Sequence, residues 1–294
     1  MKTHPNHTLL DVLQRQSAEK LLSVYMTAGF PRLEDTAGDL RALALAGVDF
    51  LEIGMPFSDP LADGPVIQQA SSRALANGMS LNLLFEQLAV FEGKMPIPSL
   101  LMGYINPVLR FGIEKFCQKA RAAGISGVIL PDLPMREYLQ DYREVFEGQG
   151  LHFIFLITPT TPESRIRQID EVSTAFIYVV GSSATTGSKE HDLGREAYLQ
   201  RLKSMKLKTP LVVGFGINDP DSLQQAWQYA SGAITGTAYV RCRMKGLAPE
   251  DAIRELFNQL GHKMDGALAS KHQPGDVSAS QKTTNSLTPK LYIP

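Results

Sequence analysis

The residues best suited to chemistry lie in one stretch, LEIGMPFSDPLADGP, Leu51–Pro65, which carries Glu52, Asp59 and Asp63. Glu52 falls near the end of an apolar run, Val48–Ile53, read as a strand. Alternation puts Val48, Phe50 and Glu52 on one face, with Asp49, Leu51 and Ile53 on the other. An unpartnered carboxylate among buried neighbours costs several kcal/mol or raises its pKa. That fits a general acid/base of elevated pKa, the alternative being a structural carboxylate held by backbone hydrogen bonds. Asp63 stays open between two roles. It precedes Gly64-Pro65 and a helical run, PVIQQASSRAL, where an N-cap belongs, and it equally suits catalysis. Asp59, before Pro60, reads as a turn residue. Asp132, in LPDLP, fits a turn or the support of a site.

A second cluster has the composition of an anion site. GFGIND (Gly214–Asp219) follows one late strand, and GAITGTAYV (Gly232–Val240) holds the next and the start of a helix. Glycines let backbone N–H groups approach an anion, and the positive end of a short helix adds attraction. Gly216, Ile217, Gly236 and Thr237 are the expected phosphate cradle. The polar loop Gly181–Gly194, GSSATTGSKEHDLG, is longer than most strand-to-helix connections and suits a cover over substrate or a plain surface loop. Tyr25, Tyr104 and Tyr178, at strand ends, suit the walls of a pocket for a flat ring or ordinary packing.

These residues need elements to hold them. Short apolar runs recur at Leu21–Thr27, Val48–Ile53, Ser99–Tyr104, Gly127–Leu130, His152–Ile157, Phe176–Val180, Leu211–Gly214 and Gly232–Thr235. Nearly continuous apolar strands indicate parallel strands covered on both faces. Helical patterns alternate with them at Leu33–Ala46, Ile113–Ala123, Met135–Glu147, Pro162–Glu171, Glu196–Met205, Asp219–Tyr229 and Pro249–Leu260. Several of these stop at a glycine. Eight such units predict an α/β fold, a single (β/α)8 TIM barrel, whose chemistry lies at the C-terminal ends of its strands. No GxGxxG follows the first strand, which argues against an open dinucleotide-binding sheet. The barrel is expected over 1–265. From Gly266 onward the chain is rich in Ser, Thr, Lys, Gln and Pro and reads as a disordered tail, 266–294.

Composition narrows the partners. The 29 basic and 30 acidic residues leave a formal charge of −1, no footprint for nucleic acid or an anionic membrane. No apolar run approaches a bilayer span, and MKTHPNHTLLDVLQRQ lacks the apolar core of a signal peptide, so the expected compartment is the cytoplasm. Two cysteines, Cys117 and Cys242, exclude a disulfide framework, and the six histidines make no pair at metal-ligand spacing. No bound metal is expected.

Together LEIGMPFSDPLADGP, MGYINPV, GFGI and GAITGTA closely resemble the α subunit of tryptophan synthase, in order from about Leu21 to Leu260. The resemblance implies retro-aldol cleavage of indole-3-glycerol phosphate to indole and glyceraldehyde 3-phosphate, in tryptophan biosynthesis. It implies that Glu52 is the general acid/base, and that Asp63 accepts a hydrogen bond from the indole N–H, which resolves its two roles in favour of catalysis. By the same implication Gly187 joins Gly216, Gly236 and Thr237 at the phosphate, Thr186 packs against Asp63, and Tyr104 and Tyr178 border the substrate; Tyr25, at a strand end, is read as a further substrate-binding residue. The implied partner is the β subunit, in an α2β2 assembly, and pyridoxal phosphate belongs to that partner, with no cofactor on this chain. A stand-alone indole-releasing lyase and a barrel that only activates a partner remain the alternatives. Three departures stand out: Ser182 where many members carry arginine, Thr237 where serine is usual, and the tail.

Overall fold

The computed structural model describes residues 8–15, 20–181, 189–264 and 268. Nine short strand segments form one sheet: β1 (Leu21–Thr27), β2 (Phe50–Gly54), β3 (Ser99–Met102), β4 (Gly127–Ile129), β5 (His152–Phe153), β6 (Leu156–Ile157), β7 (Ile177–Val180), β8 (Leu211–Gly214) and β9 (Gly232–Thr235). Every pairing is parallel, in the order β5-β4-β3-β2-β1-β9-β8-β7-β6. The two ends of that order, β5 and β6, are consecutive pieces of one chain run. Ile154 N–H donates to Val128 on one side, and Tyr178 N–H donates to Phe155 on the other. The sheet thus closes on itself as an eight-stranded barrel, and the strand expected over His152–Ile157 is its seam. Strand tilt staggers the two ladders, so each engages a different half of the seam strand.

Two cores follow from side-chain alternation. Phe50, Leu100, Met102, Ile129, Ile154, Phe176, Tyr178, Val212 and Ile234 fill the barrel, with Phe50 and Phe176 ring centroids 5.6 Å apart. Leu51, Ile53, Leu101, Val128 and Val213 point outward to the helices. Val48 belongs to that outer core. It precedes β2, which starts at Phe50, so it does not share the inner face with Phe50 and Glu52. Likewise β3 ends at Met102, because Tyr104 turns away as the N-cap of a helix, Ile105–Phe111.

The polar-looking N-terminus contributes structure that composition hides. Thr8 and Asp11 form a reciprocal capping box for a helix, Leu9–Gln14. Its Leu9, Val12 and Leu13 join the interior cluster and plug the end of the barrel where the strands begin. The opposite end stays open for chemistry. Helix Lys189–Ser204 starts well before the expected Glu196, so residues 189–194 are helical rather than loop. Leu268, inside the expected tail, is buried and donates its N–H to Leu45. The rest of the segment 266–294 lies outside the described residues. Among those described, no helix is long and apolar enough to cross a membrane.

Candidate active site

The register Tyr25↔Glu52↔Leu100 sets the first functional layer at the C-terminal ends of β1, β2 and β3. Glu52 follows Phe50 on the inner face and is 0% exposed. Neither of its carboxyl oxygens has a hydrogen-bond partner among the described residues. Burial alone pushes its pKa up to about 8, so near neutrality it holds a proton. A structural carboxylate would show backbone donors at these oxygens. Glu52 shows none.

Asp63 reaches the same cavity from the loop after β2. The helix behind it, Pro65–Ala76, is capped by Gly64 with no side-chain hydrogen bond. The carboxyl of Asp63 therefore does not act as the N-cap. Instead it accepts a hydrogen bond from the Tyr104 hydroxyl, which in turn accepts the Ala62 N–H at 2.9 Å. Burial raises the Asp63 pKa to about 6, with the Tyr104 bond opposing the rise. Tyr104 thus stands behind Asp63, and the cavity wall is made by others. Its ring packs against Phe57, centroids 5.3 Å apart.

Tyr25 and Tyr178 do line the cavity, and two glycines make room for them. A Cβ on Gly54 would lie 2.0 Å from the Tyr25 hydroxyl oxygen, and one on Gly214 would lie 2.0 Å from that of Tyr178. Each ring therefore leans across the end of the neighbouring strand. Burial raises both phenol pKa values, with the nearby carboxylates adding to the effect. Both hydroxyls stay neutral at any working pH.

The opposite wall is built from backbone. Gly216 has φ +74° and Phe215, unusually for a side-chain-bearing residue, φ +69°. That turn presents the Phe215 ring edge-on to Tyr178, centroids 6.1 Å apart. Gly236 caps helix Thr237–Met244 without a side-chain hydrogen bond, so the first-turn N–H groups have no acceptor within the helix. A Cβ on Gly236 would approach Tyr25 Cβ at 3.0 Å. Thr235 donates its hydroxyl to Ile217 O at 2.7 Å, tying the two loops together. Arg195 adds a cation nearby, its Nη1 3.5 Å from where a Gly216 Cβ would lie.

One cavity joins these walls, lined by Tyr25, Glu52, Asp63, Tyr178, Gly216, Ile217, Gly236 and Thr237. Met102, Phe215, Asn218, Ile234 and Ile67 also line it and carry no signal singling them out in the sequence. Phe215 was legible only as the residue between two glycines. Asp132, the other candidate support, is exposed and accepts the Ile105 N–H at 3.0 Å, holding the start of the helix after Tyr104. Asp59 is an exposed loop residue hydrogen-bonded by Ser58. Ser182, Thr186 and Gly187 lie outside the described residues.

Residues 12–267 match the sequence model of a family described as tryptophan synthase alpha chain. A tryptophan synthase alpha chain of Flavobacterium psychrophilum is 49% identical over 227 residues, covering 77% of this chain and 90% of the relative. One of Christiangramia forsetii is 51% identical, covering 77% and 89%. Among solved structures, the alpha chain of Legionella pneumophila superimposes with a TM-score of 0.75 at 33% identity, covering 87% of this chain and 96% of that one. Tryptophan synthase of M. tuberculosis in an aminoacrylate-bound form matches with a TM-score of 0.75 at 28% identity, over 88% of this chain and all of that one.

Proposed function

Because this chain belongs to the family of tryptophan synthase alpha chains, the lyases that cleave indole-3-glycerol phosphate to indole and glyceraldehyde 3-phosphate, we propose how its own residues divide that work. Glu52, protonated at neutral pH, gives its proton to indole C3. The ring becomes an indoleninium cation, the electron sink that the carbon–carbon bond needs. The Glu52 carboxylate then takes the proton of the glycerol C3′ hydroxyl. The C3′ carbonyl forms, the C3–C3′ bond breaks, and its electron pair neutralises the ring. Glu52 ends as it began, protonated.

Asp63 stays ionised above about pH 6 and accepts the indole N–H, stabilising the cationic ring. One carboxyl holds a proton while the other holds a charge, which requires environments that push their pKa values apart. The values of about 8 and about 6 meet that requirement. Tyr104 orients Asp63, while Tyr25 and Tyr178 border the indole. The phosphate is received by the N–H groups at Gly216, Gly236 and Thr237, and the family resemblance adds Gly187 to that site and sets Thr186 against Asp63. The single observation that carries this reading is the buried, unpartnered Glu52 carboxyl in one cavity with Asp63 and the glycine cradle.

Family members work with a β subunit. We extend this to an α2β2 assembly in the cytoplasm, with pyridoxal phosphate on the β subunit and no cofactor on this chain. The test is indole release by the purified chain, with and without β subunit, for the native protein and Glu52→Gln. A large increase with β subunit supports the assembly, while full turnover alone favours the stand-alone lyase. Native-level release by Glu52→Gln removes Glu52 from its role.

A further inference from the structure

We propose that Tyr239 and Arg243 are positioning residues for the substrate's phosphate: with Asp35 and Asp39 they fix the orientation of helix Thr237–Met244 and so the aim of its N-terminal N–H groups. The inference rests on the reading of Gly236 and Thr237 as the phosphate cradle. Tyr239 lies in the first turn of that helix and Arg243 one turn later on the same face. The Tyr239 hydroxyl donates to Asp39 Oδ1 at 2.6 Å. Arg243 Nη2 donates to Asp35 Oδ2 at 2.9 Å, and its Nε lies 2.9 Å from Asp39 Oδ1 as a charge contact without hydrogen-bond alignment. Arg243 Nη1 also donates to Leu247 O, and Arg32 grips Asp35 from outside at 2.8 Å. One network thus joins the cradle helix to the segment Leu33–Leu45 that follows β1.

Stability does not explain this choice. Arg243 is 3% exposed, Asp39 1% and Tyr239 1%. Apolar side chains of similar volume often serve a core as well as a buried ion pair or better, whereas directed bonds specify one geometry. This helix has a particular need of specified geometry. It is short, and Gly236 provides no side-chain cap to set its pitch. Thr235, just before it, is held by its bond to Ile217 O, and apolar packing of Ala238, Val240 and Cys242 leaves Tyr239 and Arg243 as the side chains that fix its rotation by directed bonds. A small misalignment would move the N–H groups off the phosphate while leaving Glu52 and Asp63, on the other wall, undisturbed.

Calorimetric titration of the full chain with glycerol 3-phosphate, and separately with indole, tests this. Tyr239→Phe removes one hydroxyl and is expected to weaken glycerol 3-phosphate about fivefold, the size typical of a residue coupled to a site it does not touch. Arg243→Met is expected to weaken it more. Indole affinity should stay at the native value, and KM should rise while kcat changes little. The inference is overturned if Tyr239→Phe lowers only the melting temperature and leaves glycerol 3-phosphate affinity and KM native. Equal weakening of indole and glycerol 3-phosphate overturns it too, because the helix aim would then not be the quantity controlled. Gly236→Asp separates the two levels: if that variant still binds glycerol 3-phosphate as the native chain does, the cradle reading itself fails. If it abolishes binding while Tyr239→Phe binds normally, only the positioning role fails.

Discussion

The two walls of the cavity are made of different material. In the division of work proposed above, the β1–β3 side acts through side chains, Glu52 and Asp63, whose pKa values burial raises. The proposal gives the β8–β9 side to the backbone: the N–H groups at Gly216, Gly236 and Thr237, where side chains mainly need to stay out of the way. Substitution on the first wall changes what the site can do, and on the second how firmly it holds. That contrast predicts opposite kinetic signatures.

The largest effect belongs to the first wall. Glu52→Gln keeps the volume and removes the proton exchange, and kcat is expected to fall by about 10^3-fold or more, the upper range for a general acid/base. Single-turnover indole release measures it. The same variant should be more stable than the native chain in alkali. The folded pKa of Glu52, about 8, lies above the value of 4.5 that an unperturbed glutamate has. Its contribution to stability is therefore whole below about pH 4.5 and is lost as the pH rises toward 8. The loss reaches about 5 kcal/mol at most. Melting curves should show the advantage of Glu52→Gln widening from pH 5 to pH 8, and parallel curves would mean Glu52 ionises freely. Activity and stability oppose each other at this carboxyl.

On the second wall, Gly236→Asp places a negative charge at the cradle and a Cβ within 3.0 Å of Tyr25 Cβ. KM is expected to rise about 100-fold, the order of several charge-assisted hydrogen bonds lost, with kcat less affected. Steady-state kinetics decide it. A fall in kcat at unchanged KM would erase the distinction between the walls.

The contrast also governs what the sequence made legible. Glu52 was readable because a charged residue at the end of an apolar strand is anomalous by type alone. Asp63 was not, because its N-cap and catalytic roles predict the same local sequence. What separates them is where the carboxyl turns: toward Tyr104, a contact made across the space between β2 and β3. The glycine turns that line the cavity were legible as spacing, yet Phe215 was not, since its left-handed backbone leaves no trace in residue type. The barrel followed from periodicity, but its plug, Leu9–Gln14, was obscured by polar neighbours, and its seam at β5 and β6 depends on pairings that only closure creates. The buried Asp35–Asp39–Arg243 network was invisible for the same reason: its members lie some 200 residues apart, with separations of 208 and 200 for the Arg243–Asp35 and Tyr239–Asp39 bonds.

Titration probes the carboxylate wall without altering it. The proposed roles require Asp63 ionised, above about 6, and Glu52 protonated, below about 8, in the free enzyme. The profile of kcat/KM should be a bell with limbs near these values, falling about tenfold per pH unit beyond each. Glu52→Asp should move the alkaline limb and leave the acid one, and movement of both limbs together would mean that the carboxyls titrate as one coupled pair.

The smallest expected effect sharpens the assignment of the acid limb. Tyr104→Phe removes the hydroxyl that donates to Asp63, and that bond favours the charged carboxylate, opposing the rise that burial causes. Without it the Asp63 pKa rises further, so the acid limb of the bell should shift upward while the alkaline limb stays near 8. Loss of one hydrogen bond to a charged group is worth about 1.5 kcal/mol, about tenfold in kcat/KM at most near pH 6, and the deficit should shrink as the pH approaches 8. If Tyr104 instead bordered the substrate directly, its loss would lower kcat/KM by the same factor at every pH. The shape of the deficit across pH, rather than its size, therefore tells whether Tyr104 acts on the ring or on the carboxylate that receives it.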